Sequence, residues 1–344
     1  MEASKNELFV RATNLETAIE IKIPAKVEQP GMVIISGKTL SAFLSHIKDE
    51  TILLQNQKEN IFIKTNQTET TLRGFSPDEF PLFPHIDVIA SCTLAVEDIR
   101  TALHQVVIAV STSDIKPELA SVSWKLFKNS GKLAATDSFR LAERTIISKK
   151  NTFDNVMSFL LPSIAAHELA RLFEGNTKDN AISFGKEKEI TIEFNKNQII
   201  VRNTTMRFIS RLTEGNFPDY EQIIPKNFST EVVIEKDVLL QQIRFASVFV
   251  GKLNDMSIEF NPQKKEISFH ASNPDTGEHT AHITASIQGE TGSAKFNWRY
   301  LYDGVQNITT EYVILGFNGE QSPLFVKGKG DQSYLYLAMP LRGL

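Results

Sequence analysis

Ala134-Ala135-Thr136-Asp137-Ser138-Phe139-Arg140-Leu141-Ala142 is the stretch around which the chain is read. It follows an apolar run, Val122 to Phe127, and a short polar turn, Lys128-Asn129-Ser130-Gly131. It holds no nucleophile–base pair, no metal-ligand set and no phosphate loop. It reads as one wall of a docking pocket. The tail, Tyr334-Leu335-Tyr336-Leu337-Ala338-Met339-Pro340-Leu341-Arg342, supplies the other wall.

The bulk composition narrows the choice of protein. At 344 residues two or three domains are expected. With 41% hydrophobic and 23% charged residues the composition is that of a soluble globular chain. A net charge of −4 argues against a surface that grips nucleic acid all over, and leaves room for a basic patch on an acidic body. The single cysteine, Cys92, rules out an intrachain disulfide framework, suits a reducing cytoplasm, and reads as a small buried hydrophobe. The polar Met1–Glu7 start has no apolar core of signal-peptide length, and the longest apolar runs, such as Val106 to Val110, fall far short of the roughly 20 residues of a membrane span. A cytoplasmic chain is expected. The Asn66, Asn203, Asn227 and Asn307 triplets then match the glycosylation pattern by coincidence.

Taken in order, strand-like alternation covers residues 7–35, and Ser36-Gly37-Lys38 opens a short helix with Leu40, Phe43, Leu44 and Ile47 on one face and Ser41, Ser45 and Lys48 on the other. Strands are expected at Thr51–Gln55, Asn60–Thr65 and Glu69–Gly74, before a linker marked by Pro81, Pro84 and Asp87. A second unit opens with strand Cys92–Val96. Its helix starts at Glu97-Asp98, where negative charge suits the macrodipole, and carries the stripe Ile99, Leu103, Val106, Val107 and Val110. Strands at 118–127, 132–136 and 139–148 follow. A short helix runs from Ser163 to Phe173 with Pro162 at its first turn, and strands Ala181–Gly185, Glu189–Asn195, Gln198–Thr204 and Met206–Leu212 come next. A third unit repeats the order: strand Glu231–Glu235, a helix from Lys236 to about Phe249, strands at 256–260, 265–272 and 278–288, a short helix holding Trp298, Leu301, Tyr302 and Val305, and strands Tyr312–Asn318, Leu324–Lys329 and Ser333–Pro340.

The three units share one order: strand, helix, strands, short helix, strands, then a proline break or the chain end. Such repetition means a pseudo-symmetric array. Opening strand to short helix takes about 70 residues in the second unit and about 65 in the third, but only about 37 residues precede Lys38 in the first. The first unit is therefore expected to be clipped at its N-terminal side, without its first strand and long helix.

Three copies of this arrangement resemble the bacterial DNA polymerase III β subunit family, the β sliding clamps. Ala135-Thr136-Asp137-Ser138-Phe139-Arg140-Leu141-Ala142 is similar to the family's A-T-D-[GS]-H-R-L-A run, Gly215-Asn216-Phe217-Pro218-Asp219-Tyr220 to its G-x-F-P-D-Y, Met339-Pro340-Leu341-Arg342 to its M-P-[MV]-R ending, and Glu79-Phe80-Pro81 to its first linker. The resemblance spans essentially the whole chain. It implies an α+β fold of three clamp domains, each with two helices packed on antiparallel sheets, in a ring-forming crescent; the first domain would lack its first strand and helix. The expected boundaries are 1–88, 89–228 and 229–344. It further implies a head-to-tail homodimer that closes a ring around duplex DNA, with helices inside and sheets outside. Held by topology, such a ring needs only weak, sequence-blind phosphate contacts. Implied partners are DNA polymerase III α subunit, the clamp loader, and other polymerases and repair proteins that carry linear motifs. No membrane and no cofactor or metal is implied.

By motif register the peptide pocket is expected to comprise Val122, Thr136, Ser138, Phe139, Arg140, Leu141, Pro218, Ile223, Leu337, Met339, Pro340, Leu341 and Arg342. Val122, Leu141, Ile223, Leu337 and Met339 would form an apolar cleft, and Arg140 and Arg342 would bond carbonyls or carboxylates at its rim. The other reading makes these inner-face strand residues of the second and third units. DNA-facing candidates are Lys38, Lys48, Arg100, Arg171, Arg244 and Lys252, each otherwise a solvated helix-face residue. Many clamps carry DNA-touching aromatic residues where this chain has Ala120 and Ser121, and Lys116 nearby is expected to serve instead. Phe139 departs from the usual His, and Gly343-Leu344 extend past the usual end.

Two rival classes make different demands on the sequence. An enzyme would need a site, yet His46, His85, His104, His167, His270, His279 and His282 are scattered, His279-Thr280-Ala281-His282 lacks a third ligand at metal spacing, and Gly328-Lys329-Gly330 lacks the frame of a phosphate loop. A non-ring nucleic-acid binder would show stronger basicity or interleaved aromatics, and neither is evident; a scaffold fragment of a clamp is the remaining alternative.

Overall fold

A computed structural model describes residues 1–81, 86–174, 184 and 187–341. The chain forms two compact units, one from Met1–Ser91 with the stretch that ends at Arg211, the other from Cys92–Glu174 with Leu212–Leu344.

The first unit opens with a tight hairpin. Lys5 and Asn6 both take positive φ, 49° and 64°, between strands Glu2–Ser4 and Glu7–Thr13, the two-residue turn whose twist matches the strands it joins. At the next turn Asn14 Oδ1 accepts from the backbone N–H of Glu16 and Thr17, which sets strand Thr17–Pro24 beside Glu7–Thr13. Thr17–Pro24 then pairs with Met206–Arg211, which continues through Gln198–Arg202 to Glu189–Phe194. The closing strands of the second repeat therefore complete the opening sheet of the first. Ala18, Ile86, Ile200 and Ile209 form a core cluster beneath this sheet. A separate cluster gathers Val33, Ile61 and Ile63 under Leu40 and Phe43 of helix α1, Gly37–Leu44. Ser36 caps α1 by accepting from Thr39 N at 3.3 Å. The helix ends at Leu44, so the expected extension through Ile47 to Lys48 does not occur, and both residues lie in the following loop. Among the described residues of Met1–Ser91, α1 is the one α-helix, whereas each later repeat carries two.

The second unit holds α2 (Val96–Val107), α3 (Ser163–Phe173), α4 (Lys236–Ser247) and α5 (Trp298–Gln306). In α2 the residues Val96, Ile99, Ala102, Leu103 and Val106 are buried, the spacing of one helical face, while Glu97 and Asp98 occupy the first turn. Fully burying each large aliphatic among them stabilises by about 1.5–3 kcal/mol, and Leu103→Ala would cost about 2–5 kcal/mol. Helix α2 packs on α3, and α4 on α5. Under them runs one antiparallel sheet in the order Met157–Pro162, Ser121–Leu126, Ser130–Thr136, Arg140–Asn151, Tyr334–Ala338, Leu324–Gly328, Tyr312–Phe317, Thr230–Glu235 and Ser286–Gly289. The exchange seen in the first unit recurs, because the last strand of the third repeat pairs with Arg140–Asn151 of the second. A four-stranded sheet, Gly277–Thr284, Glu266–Asn273, Asp255–Asn261 and Gly292–Asn297, makes the second layer of the third repeat.

Some strands escape the sequence pattern, Glu2–Ser4 at the start among them. Met157–Pro162 lacks clean alternation, Gly292–Asn297 alternates only briefly, and each gains its place by pairing with a distant strand, Ser121–Leu126 and Asp255–Asn261 respectively. Pro162 ends a strand and stands at the N-cap of α3 rather than in its first turn. The expected strand Ala181–Gly185 lies outside the described residues apart from Phe184. No helix among the described residues is long and apolar enough to cross a membrane.

Candidate peptide-binding site

The Thr136–Arg140 turn is held by its own side chains. Asp137 Oδ1 accepts from the N–H of Phe139 and of Arg140, both at 2.9 Å. Thr136 Oγ1 donates to Arg140 O at 2.7 Å and accepts from Ser138 N at 3.1 Å. These bonds hold Ser138 at a φ of 77°, in the left-handed region that short polar residues tolerate best after glycine. The tail is stitched to the same turn, since Met339 N donates to Phe139 O at 2.7 Å, and to strand Gly292–Asn297, since Leu341 N donates to Lys295 O at 2.7 Å.

Side chains alternate across a strand, so the ladder decides which residues share a face. Ser123 pairs with Ala134, Ala134 with Glu143, and Glu143 with Leu335; Thr136 pairs with Leu141, and Leu141 with Leu337. These residues lie on one side of the sheet. There Leu141, Leu337 and Phe325 form a buried cluster, flanked by Tyr220, Ile224, Phe228 and Leu335. Tyr220 OH donates to Glu143 Oε2 at 2.6 Å, and Lys132 reaches the same carboxylate at 3.3 Å. Burial first, then the Glu143 carboxylate, hold the Tyr220 phenol well above the usual tyrosine range, so it stays a donor.

Val122 is placed apart from this cluster. It pairs with Leu161 and alternates with Ser123, which places it, fully buried, on the side of the sheet opposite Leu141. It belongs to the core rather than to an apolar cleft with Leu141. Arg140 is likewise placed apart. It too alternates away from Leu141, and its guanidinium is already engaged: Nε donates to Asp137 Oδ2 at 2.9 Å, Nη1 to Asp303 Oδ2 at 2.7 Å, and the group lies 4.5 Å from the Tyr300 ring centroid. Burial opposes its charge, but Tyr336, Asp137 and Asp303 outweigh that and hold it above the ordinary arginine value. It positions the turn and is not a free rim donor.

The remaining residues divide by exposure. Phe139 is 58% and Ile223 50% exposed, and Ser138 and Pro218 are also exposed. Met339 and Leu341 are half-buried; Thr136, Leu141, Leu337 and Pro340 are buried. Arg342 lies outside the described residues. Tyr220, Ile224, Phe228, Phe325 and Leu335 stand outside the set expected from the sequence. Only Tyr220 carried a signal, as the last residue of Gly215–Tyr220.

The basic candidates are less uniform than expected. Lys38 is exposed on α1, and Arg100 and Arg171 are paired with Glu97 at 2.5 Å and Glu168 at 2.9 Å on their own helices. Arg244 is exposed on α4, whereas Lys48, Lys116 and Lys252 lie in loops, so Lys48 and Lys252 are not helix-face residues.

Comparison with known proteins agrees with this architecture. Residues 1–84, 93–219 and 221–342 match, in order, the N-terminal, central and C-terminal domain models of the DNA polymerase III beta subunit. The chain is 26% identical over 352 residues to the beta sliding clamp of Staphylococcus aureus, with 99% of this chain and 90% of that protein covered. It superposes on the DNA polymerase sliding clamp of Bacillus subtilis with a TM-score of 0.89 at 25% identity, covering 100% of this chain and 90% of that one. The sliding clamp of Pseudomonas aeruginosa gives a TM-score of 0.90 at 19% identity, covering 99% and 91%. Three clamp domains, built of helices packed on antiparallel sheets and matched in order along nearly the whole length, place this chain in the DNA polymerase III beta subunit family, the bacterial beta sliding clamps.

Proposed function

We propose that the chain is a DNA sliding clamp: a non-enzymatic processivity factor that encircles duplex DNA without sequence preference and tethers DNA enzymes to it. The observation that carries this reading is the ordered match of all three clamp-domain models from residue 1 to residue 342. The domains divide near residues 88 and 228, two copies close a head-to-tail ring in the cytoplasm, and the exposed basic residues Lys38, Lys48, Lys116, Arg171, Arg244 and Lys252, with the half-buried Arg100, supply weak contacts to phosphates. Partner proteins, the polymerase III α subunit and the clamp loader first among them, dock a short linear peptide. Their site is the surface of Phe139, Ser138, Pro218, Ile223, Met339 and Leu341, over Thr136, Leu141, Leu337 and Pro340. Exposed apolar groups over a rigid buried cluster suit a peptide with a few apolar anchors.

Topology gives the test. Clamp loaded onto a nicked circular plasmid stays with the DNA through gel filtration and is released when the plasmid is cut to a linear form. Equal loss from circular and linear DNA would reject the ring.

A further inference from the structure

Helices α4 and α5 enclose a cleft of about 360 Å³, lined by Arg244, Ser247, Trp298, Arg299, Tyr302 and Asp303. Trp298 and Tyr302 stand one helical turn apart on α5, their ring centroids 6.3 Å apart and the planes inclined by 65°. The Trp298 ring is anchored at its edge, where Nε1 donates to Asn254 Oδ1 at 3.3 Å. Each ring carries a guanidinium: that of Arg244 lies 5.0 Å from the Tyr302 centroid and that of Arg299 5.6 Å from the Trp298 centroid. Arg244 Nε also donates to Tyr302 OH at 3.0 Å. Asp303, the one acid of the lining, is taken up by Arg140.

The two arginines differ from others in the molecule. Arg11, Arg100, Arg140, Arg144, Arg171, Arg202 and Arg211 each have a carboxylate partner. Among the described residues no carboxylate lies within ion-pair distance of Arg244 or Arg299. Two uncompensated planar cations beside two aromatic faces, one face fixed in orientation, match a polyanion that also has flat rings. Single-stranded nucleic acid is such a ligand: bases stack on aromatic side chains whatever their sequence, and arginines track the phosphates. A duplex keeps its bases stacked on each other and offers the rings nothing.

We propose that the α4–α5 cleft is a single-stranded DNA site, taking an unpaired base against Trp298 and Tyr302 and its flanking phosphates between Arg244 and Arg299. This rests on the DNA-facing role proposed for Arg244 and goes beyond it, because it assigns a preference for unpaired over duplex DNA.

The protein supplies its own probe. It has two tryptophans, and Trp124 is fully buried, so a ligand that quenches by contact reports on Trp298. The full-length protein titrated with a short oligothymidylate should show saturable quenching, and the same oligonucleotide annealed to its complement should not. Binding of the labelled oligothymidylate, followed by anisotropy, should weaken about tenfold in Trp298→Leu and in the surface variant Arg299→Ala, the scale of one lost base stack. Arg299→Ala removes an exposed side chain, so an unchanged thermal melt keeps its result interpretable. Three outcomes would overturn the proposal: binding without quenching, duplex binding as tight as single strand, or equal competition by polyglutamate, which would assign the cleft to acidic peptides. Plasmid retention measured on the same preparation separates these results from a failure of the clamp reading itself.

Discussion

Arg140 donates to Asp303 at 2.7 Å across a separation of 163 residues. The contact ties the turn of the second repeat to α5 of the third, and so holds in place both the candidate peptide surface and the floor of the α4–α5 cleft. Arg140 is 13% and Asp303 40% exposed at the side chain, so solvent screens part of the attraction. A double-mutant cycle of Arg140→Ala and Asp303→Asn, read by chemical denaturation, should give a coupling of about 1–2 kcal/mol. A coupling near zero would mean that Asp137 alone holds Arg140.

Met339 is half-buried and joined to the Phe139 turn through its backbone N–H, not through its side chain. Met339→Ala should therefore weaken binding of a polymerase-derived linear peptide about tenfold by calorimetry, the effect of one lost apolar anchor, while the melting temperature changes little. Unchanged peptide affinity would remove the tail from the site.

Gly304 decides how closely α5 approaches the tail strand. A Cβ placed there would lie 2.3 Å from the buried Tyr336 ring. In an open helix Gly→Ala gains about 1 kcal/mol, but overpacking against a buried ring costs about 1–3 kcal/mol. Gly304→Ala should be destabilising on balance, with a lower denaturation midpoint and an unchanged slope. A stabilised variant would show that Tyr336 moves aside freely.

Burial pushes the Cys92 thiol up from 9.0 to about 12. A raised folded-state value means that the fold favours the protonated thiol. Its contribution to stability is present in full below about pH 9 and is lost as pH rises towards about 12. Half-buried Tyr220 and buried Tyr334 and Tyr336 are raised as well and add to the alkaline loss. Melting temperature should fall over this window, less steeply in Cys92→Ala, and Cys92 should resist alkylation until the protein unfolds. Identical slopes in the two proteins would assign the loss to the tyrosines alone.

The end of α4 and the loop after it expose large apolar groups: Phe245 at 49%, Val248 at 64% and Leu253 at 61%. Large apolar groups exposed so close together in the chain are the natural candidates for the self-interface of the proposed ring. Val248→Glu should convert a dimer to a monomer in light scattering and abolish retention on circular DNA. A dimer that persists would move the self-interface elsewhere.

The sequence by itself determined the repeat, the helix faces and the turn. Ile99, Leu103 and Val106 recur at helical spacing, and Thr136, Asp137 and Ser138 close their turn through hydrogen bonds to neighbours no more than four residues away. These are local interactions, and local interactions leave periodic marks in a chain. What only the tertiary structure decided is which strands meet. Met157–Pro162 and Gly292–Asn297 become strands through distant partners, and closing strands of one repeat complete the sheet of the one before. The ladder register placed Val122 behind the sheet and Leu141 in front of it, and brought Asp303 to Arg140, whose charge is thereby spent on structure rather than offered to a ligand. Register and long-range pairing are set by how all faces bury their apolar groups together, and no window of sequence contains that information.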